Sequence, residues 1–334
     1  MSGIPEEPLP QAGNSQEADT THLANEASNS DGSVADVPTL LPAENRADGA
    51  PESFLESYAT YPPPPPRRFP NFFDVVVLAV LLLLSWFTSG LFLFTALHFH
   101  LWGVSTTKQA FNDIHYALGS QVVWYFLAFA GCFALFPMVW RTPYFAALEW
   151  NAKAALRKRW RLLTAAFACF VLAIADGILL PGPPDTPIDQ VFRMPGAAWL
   201  LFGFGVTLAP FFEEMAFRGF LLPALNTAAD WTAERMFHLP TPHPDLEGKT
   251  RWSVGAMIVG SVLTSIPFAL MHAYQTGWSI GPFLLLMCVS MVLCWVRLST
   301  RSLAASTLVH SSYNLLLFSE MLLITGGFNH LDRM

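Results

Sequence analysis

FFDVVVLAVLLLLSWFTSGLFLFTAL, residues 72–97, decides the class of fold. The stretch holds one ionisable side chain, Asp74, near its start. As a helix it is long enough to cross a hydrocarbon core of about 30 Å, which takes about 20 residues. Six more apolar runs follow, at 121–140, 162–181, 197–225, 253–273, 280–298 and 303–325. In lipid every backbone N–H and C=O must find a partner without water, and a single segment achieves that only as a helix. The expected fold is all-α, a polytopic transmembrane helical bundle of about seven to eight spans with a disordered acidic N-terminal tail. Pro210, inside the long fourth run, is expected to kink or break its helix.

Composition agrees. Of 334 residues, 53% are hydrophobic and 13% charged, about half the charged share of a soluble domain. Mean hydropathy is +0.39. Residues 1–70 carry 11 acidic and 3 basic side chains, and residues 71–334 carry 14 and 15, so the acidity belongs to the N-terminal segment. These figures exclude a soluble nucleic-acid binder, a collagen-like chain and a disulfide-rich secreted domain. Residues 1–66 are rich in Pro, Ala, Glu, Asp, Ser and Asn and too poor in apolar side chains to offset chain entropy. They end in Pro62–Pro66, which reads as a stiff polyproline II spacer. Cys132, Cys169, Cys288 and Cys294 all fall in apolar runs without C-x-x-C spacing and read as small hydrophobes.

The loops orient the bundle. Arg67 and Arg68 precede the first run, and Arg141, Lys153, Arg157, Lys158, Arg159 and Arg161 stand against Glu149 between the second and third. Arg297 and Arg301 follow the sixth, whereas the loops at 98–120 and 182–196 hold only Lys108 and Arg193 as bases. Basic clusters stay on the cytoplasmic side. An integral membrane protein with a cytoplasmic N-terminus is expected, in the plasma membrane or, in a bacterium, the inner membrane. Tyr144–Trp160, aromatic at its start and basic at its end, reads as a helix in the membrane interface that acts as an anchor.

Ionisable groups within a span are costly and need a partner or a function. Asp74 and Asp176 sit near span ends, where solvent is expected to reach them, and Glu320 lies deeper with no assigned partner. Five others are more informative. In Glu213-Glu214-Met-Ala-Phe-Arg218-Gly219, Glu214 and Arg218 stand at i and i+4 with the acid first, the favourable order for an ion pair. Glu213 points about 100° away around the helix and has no charged partner at this spacing. A carboxylate not tied to a cation is free to exchange a proton, as a general base must. His272 ends the fifth run, and His310 and Asn314 share a face of the seventh, one turn apart. Each residue alone reads as packing or interhelical glue. Together, Glu213, His272, His310 and Asn314 form a set able to activate water and stabilise the tetrahedral intermediate of amide hydrolysis.

E-E-x-x-x-R at Glu213–Arg218, extended by Gly219, then F-x-x-x-H at Phe268 and His272, then H-x-x-x-N at His310 and Asn314, resembles the CPBP family. These are intramembrane glutamic proteases that include CAAX-processing endopeptidases and bacteriocin-processing proteins. The resemblance covers roughly residues 197–320. It implies that Glu213 is general base on the catalytic water with His272 assisting, that His310 and Asn314 stabilise the oxyanion, and that Glu214 and Arg218 hold the site in shape. It also implies no metal and no cofactor, and the H-E-x-x-H spacing of zinc proteases is absent. The partners implied are the lipid bilayer and a membrane-associated peptide or lipidated protein as substrate, with no nucleic acid. The alternative is a non-proteolytic scaffold or bacteriocin-immunity-type protein that keeps the motifs for structure. A transporter would need polar residues spread over the first three spans, which are nearly bare of them. The chain divides accordingly into the tail 1–66, N-terminal spans 67–196 with an interfacial segment 142–160, a CPBP-like catalytic core 197–325 and a short tail 326–334. Residue counting sets Glu213 mid-span, His272 at the outer end of its run and His310 about 10 Å in from the inner face. The helices must therefore tilt or shift around a cavity for these side chains to meet.

Overall fold

The computed structural model describes residues 70–183, 185–238 and 252–330. The expected acidic tail, 1–66, lies outside them, as does the end of the short tail beyond His330. Among the described residues every regular element is helical. The principal helices are α1 (Phe72–His98), α2 (Ile114–Trp140), α3 (Arg159–Leu179), α4 (Ala197–Val206), α5 (Leu208–Glu214), a π-helix (Met215–Leu221), α6 (Leu222–Phe237), α7 (Val254–Ala273), α8 (Ile280–Thr300) and α9 (Leu303–Ile324). Among the described residues, seven helical stretches are long and apolar enough to span a membrane, with α4 through α6 counted as one. The outward faces are greasy: Leu323, Met138 and Ile178 are among the most exposed side chains. A helix apolar on all sides suits lipid.

Local signals set the ends. Asn71 caps α1 through its side chain, which accepts from the amides of Phe73 and Asp74, and Asp74 returns a bond to the Asn71 amide at 2.9 Å. Asp74 is therefore not held by solvent, as its position near a span end suggested. It is fully buried, and its second oxygen accepts from Trp140 Nε1 at 3.2 Å. Asp113 caps α2, whose helix begins at Ile114, ahead of the apolar run itself.

The long fourth span breaks as expected, though at Thr207 rather than at the proline. Pro210 offers no N–H to the carbonyl of Val206 and its ring crowds that turn. The backbone responds at Thr207, which takes φ −115° and ψ −71°. The Thr207 hydroxyl donates to the Gly203 carbonyl at 2.6 Å. Downstream, the π-helical turn ends just before Pro223, which likewise cannot donate to the turn behind it.

Two clusters hold the bundle together. One joins α3 (Leu162, Ala166, Cys169), α8 (Val289, Leu293, Val296) and α9 (Ala304, Ala305, Val309, Tyr313). Small residues there let helices approach closely, which in lipid substitutes for a hydrophobic driving force. The other joins α1 and α2 to the π-helix through Leu78, Cys132, Phe136, Trp140, Met215 and Phe220. In its centre the Phe136 ring lies 4.5 Å from Trp140 and 4.8 Å from Phe220.

The segment read as one interfacial helix forms two short ones, Tyr144–Ala147 and Ala152–Arg157. The break falls at Glu149, which has φ +54°. Tyr144 and Leu148 turn into the second cluster and are buried. Arg297, counted above among the loop cations, lies within α8 and is almost fully buried. Its Nη1 donates to Glu149 at 2.7 Å and its Nη2 to the Leu148 carbonyl at 3.4 Å. The Leu303 amide and Ser302 hydroxyl add bonds to the carbonyls of Glu149 and Asn151. The 144–157 segment is thus stapled to the turn between α8 and α9.

Candidate active site

Glu213 and Glu214 end α5, and Arg218 lies in the π-helical turn that follows. The expected ion pair forms: Arg218 Nη1 donates to Glu214 Oε1 at 2.8 Å, and both side chains are fully buried. Arg218 Nη2 donates to Ser290 of α8, at 2.7 Å to the hydroxyl and 3.2 Å to the carbonyl. The guanidinium lies 4.4 Å over the Phe268 ring, a cation–π contact in a dry site. A planar fork with five donors suits this double duty, which a lysine ammonium does not match. Gly219 packs beside Leu303 and Leu148, where a Cβ would meet them at ordinary contact distances of 3.4 and 3.6 Å.

Phe268 serves the site in a second way. Its backbone carbonyl faces His272 Nδ1 at 2.9 Å. A carbonyl only accepts, so Nδ1 carries hydrogen and Nε2 is turned elsewhere. That Nε2 lies 4.0 Å from Glu213 Oε2. His310 repeats the arrangement from α9: its Nδ1 is 3.0 Å from Glu214 Oε1, the oxygen already held by Arg218, and its Nε2 is 3.8 Å from Glu213 Oε2. Two imidazoles from different helices, each pinned at Nδ1, therefore turn Nε2 toward the same oxygen of the unpaired acid. The three spans do bring these groups together despite their different depths along the chain.

Asn314 is positioned differently. Its Nδ2 donates to the Gly205 carbonyl of α4 at 2.7 Å. The Phe318 ring of α9 packs against Gly205, where a Cβ would lie 2.8 Å from it. One amide hydrogen of Asn314 is engaged and the other is left for a second acceptor.

Glu213 and His272 open onto a cavity of about 390 Å³. Its walls are mostly apolar and aromatic: Leu78 and Leu82 of α1, Trp124 and Phe129 of α2, and Phe212, Phe217 and Phe220 in and beside the π-helical turn. Its other polar side chains include Gln121 and Tyr125 of α2, Tyr144, and Gln275 after α7. The sequence reading placed no site residue in the first three spans, and these α2 groups were missed. A signal was present, since Gln121 and Tyr125 stand at i and i+4, polar on one face of an otherwise apolar helix. Gln121 Nε2 donates to the Tyr125 hydroxyl at 3.1 Å. Among the described residues no group of three His, Cys, Asp or Glu side chains is disposed to hold a metal ion.

Residues 195–316 match the family model described as type II CAAX prenyl endopeptidase Rce1-like. The match agrees with the CPBP resemblance of the motifs, and the matched stretch contains every motif residue found above. No curated protein and no solved structure matches the chain.

Proposed function

We propose, from the family match over residues 195–316, that this integral membrane protein is an endopeptidase that cleaves a membrane-associated peptide with water activated by Glu213. The observation that carries the reading is the convergence of two Nε2 atoms, at 3.8 and 4.0 Å, on one oxygen of a carboxylate that no cation holds and that faces a cavity. Glu214 suits this role less, because Arg218 and His310 both hold its Oε1 and the side chain is fully buried and lines no part of the cavity.

The steps follow from these positions. Glu213 takes a proton from water as the water oxygen bonds to the carbonyl carbon of the scissile peptide. His272, fixed by the Phe268 carbonyl, orients that water through Nε2. Negative charge gathers on the carbonyl oxygen, and Asn314, through its second amide hydrogen, together with His310, when protonated at Nε2, stabilises it. The carbon–nitrogen bond then breaks as Glu213 returns the proton to the departing amine. Glu214 and Arg218 set the rotamer of His310 and hold the turn. The chemistry uses no metal, and the apolar cavity suits a substrate with a lipid or strongly apolar portion. The N-terminus faces the cytoplasm, a placement supported by the basic residues between α2 and α3.

Glu213→Gln tests the reading. Purified full-length protein in detergent, given a quenched fluorescent peptide ending in a farnesylated cysteine and three further residues, is expected to lose cleavage at an unchanged unfolding temperature. Cleavage by the variant at the wild-type rate would refute the role of Glu213.

A further inference from the structure

The matched domain begins at residue 195, yet the cavity is closed on one side by α2, which lies outside it. Tyr125 stands on that wall, in the same cavity as Glu213 and His272. Both the Tyr125 and Glu213 side chains line this one cavity, so a group lodged in it has both within its walls. The ring is fixed: its centroid lies 5.0 Å from Phe212 and 5.9 Å from Phe204, the latter nearly parallel at 24°. The phenol oxygen already accepts from Gln121 Nε2 at 3.1 Å. With that lone pair engaged, the hydroxyl hydrogen remains to be donated.

The two oxyanion donors named above are placed less favourably for a group inside the cavity. One hydrogen of Asn314 is spent on the Gly205 carbonyl, and His310 has given its Nδ1 side to Glu214. Neither of those two residues lines the cavity.

We propose that Tyr125 is a further catalytic residue, donating its phenolic hydrogen to the carbonyl oxygen of the scissile peptide as that oxygen becomes an oxyanion. The role rests on the endopeptidase reading above. As the water oxygen bonds to the carbonyl carbon, the carbonyl π pair moves onto oxygen and the Tyr125 O–H···O bond strengthens without the proton being transferred. When the carbon–nitrogen bond breaks, the pair returns and the bond weakens. The substrate then sits between a proton acceptor on the catalytic turn and a hydrogen-bond donor on α2, so the N-terminal spans take part in the chemistry and do not only support it.

Tyr125→Phe tests this and keeps the ring packing. With the farnesylated peptide, kcat is expected to fall about 10²-fold or more while KM changes less than about threefold, the pattern of a donor used only in the transition state. A kcat within about threefold of wild type would overturn the proposal. Where Glu213→Gln is inactive and Tyr125→Phe is not, the endopeptidase reading stands and the tyrosine's role falls. Where Glu213→Gln keeps full activity, the reading itself falls. A second readout does not need turnover: a farnesylated peptide aldehyde, whose hydrate mimics the tetrahedral intermediate, is titrated by the fluorescence of Trp124 and its neighbours. Tyr125→Phe is expected to weaken the aldehyde at least tenfold and the matching primary alcohol less than twofold. Equal weakening of both, or of neither, would count against the proposal.

Discussion

Arg218→Ala removes the group on which the interior of the site is built. The guanidinium is fully buried and supplies hydrogen bonds to Glu214 at 2.8 Å and to Ser290 at 2.7 and 3.2 Å. Stranding one member of a buried ion pair costs about 3–5 kcal/mol. Because His310 still donates to Glu214 from 3.0 Å, the lower end of that range, about 3 kcal/mol, applies. Loss of the cation–π contact with Phe268 adds about 1–2 kcal/mol in a desolvated site. A total of about 4–5 kcal/mol corresponds to a fall in unfolding temperature on the order of 10 °C, measured on protein purified in detergent. The paired variant Glu214→Gln with Arg218→Met removes both charges and leaves no buried carboxylate uncompensated, so it is expected to unfold at a higher temperature than Arg218→Ala. An Arg218→Ala protein within about 2 °C of wild type would refute the reasoning, as would a paired variant less stable than the single one.

Arg297→Ala should act in the same way at the staple to the 144–157 segment, stranding the nearly buried Glu149 and freeing that segment. A loss of about 3 kcal/mol is expected from thermal unfolding, with protease nicking in that segment as the local sign. Gly205→Ala places a Cβ against the Phe318 ring, which lies 2.8 Å from that position. Overpacking of this kind costs about 1–3 kcal/mol, and because Gly205 also holds Asn314 the cleavage rate is expected to fall about tenfold or more, read from kcat at a temperature where the variant is folded.

Much of the bundle was legible because the bilayer allows few solutions. A run such as 72–97 has no way to satisfy its backbone in lipid except as a helix, and Phe72–His98 follows it almost to the residue. The i, i+4 spacing of Glu214 and Arg218 was similarly binding, since two opposite charges one turn apart in hydrocarbon have no cheaper arrangement than each other. What escaped depended on partners distant in sequence. Arg297 looked like a loop cation because its acid, Glu149, lies 148 positions away. Asp74 looked solvated because nothing local announces Trp140 as its donor. The π-helical turn leaves no compositional mark beyond Pro223. Tyr125 and Gln121 were overlooked for another reason: uncharged and amphipathic, they are ordinary in a membrane helix until the cavity beside them is known.

The claim most open to direct measurement is that Glu213 moves a proton and does not itself attack the peptide. A single turnover in water labelled with heavy oxygen, with enzyme in excess over the farnesylated peptide, separates the two routes. Attack by water predicts one heavy oxygen in the new C-terminal carboxylate of the product from the first turnover, with the Glu213 carboxylate unlabelled. A first-turnover product without the label, accompanied by heavy oxygen in Glu213, would mean that the side chain had bonded to the substrate and would contradict the account.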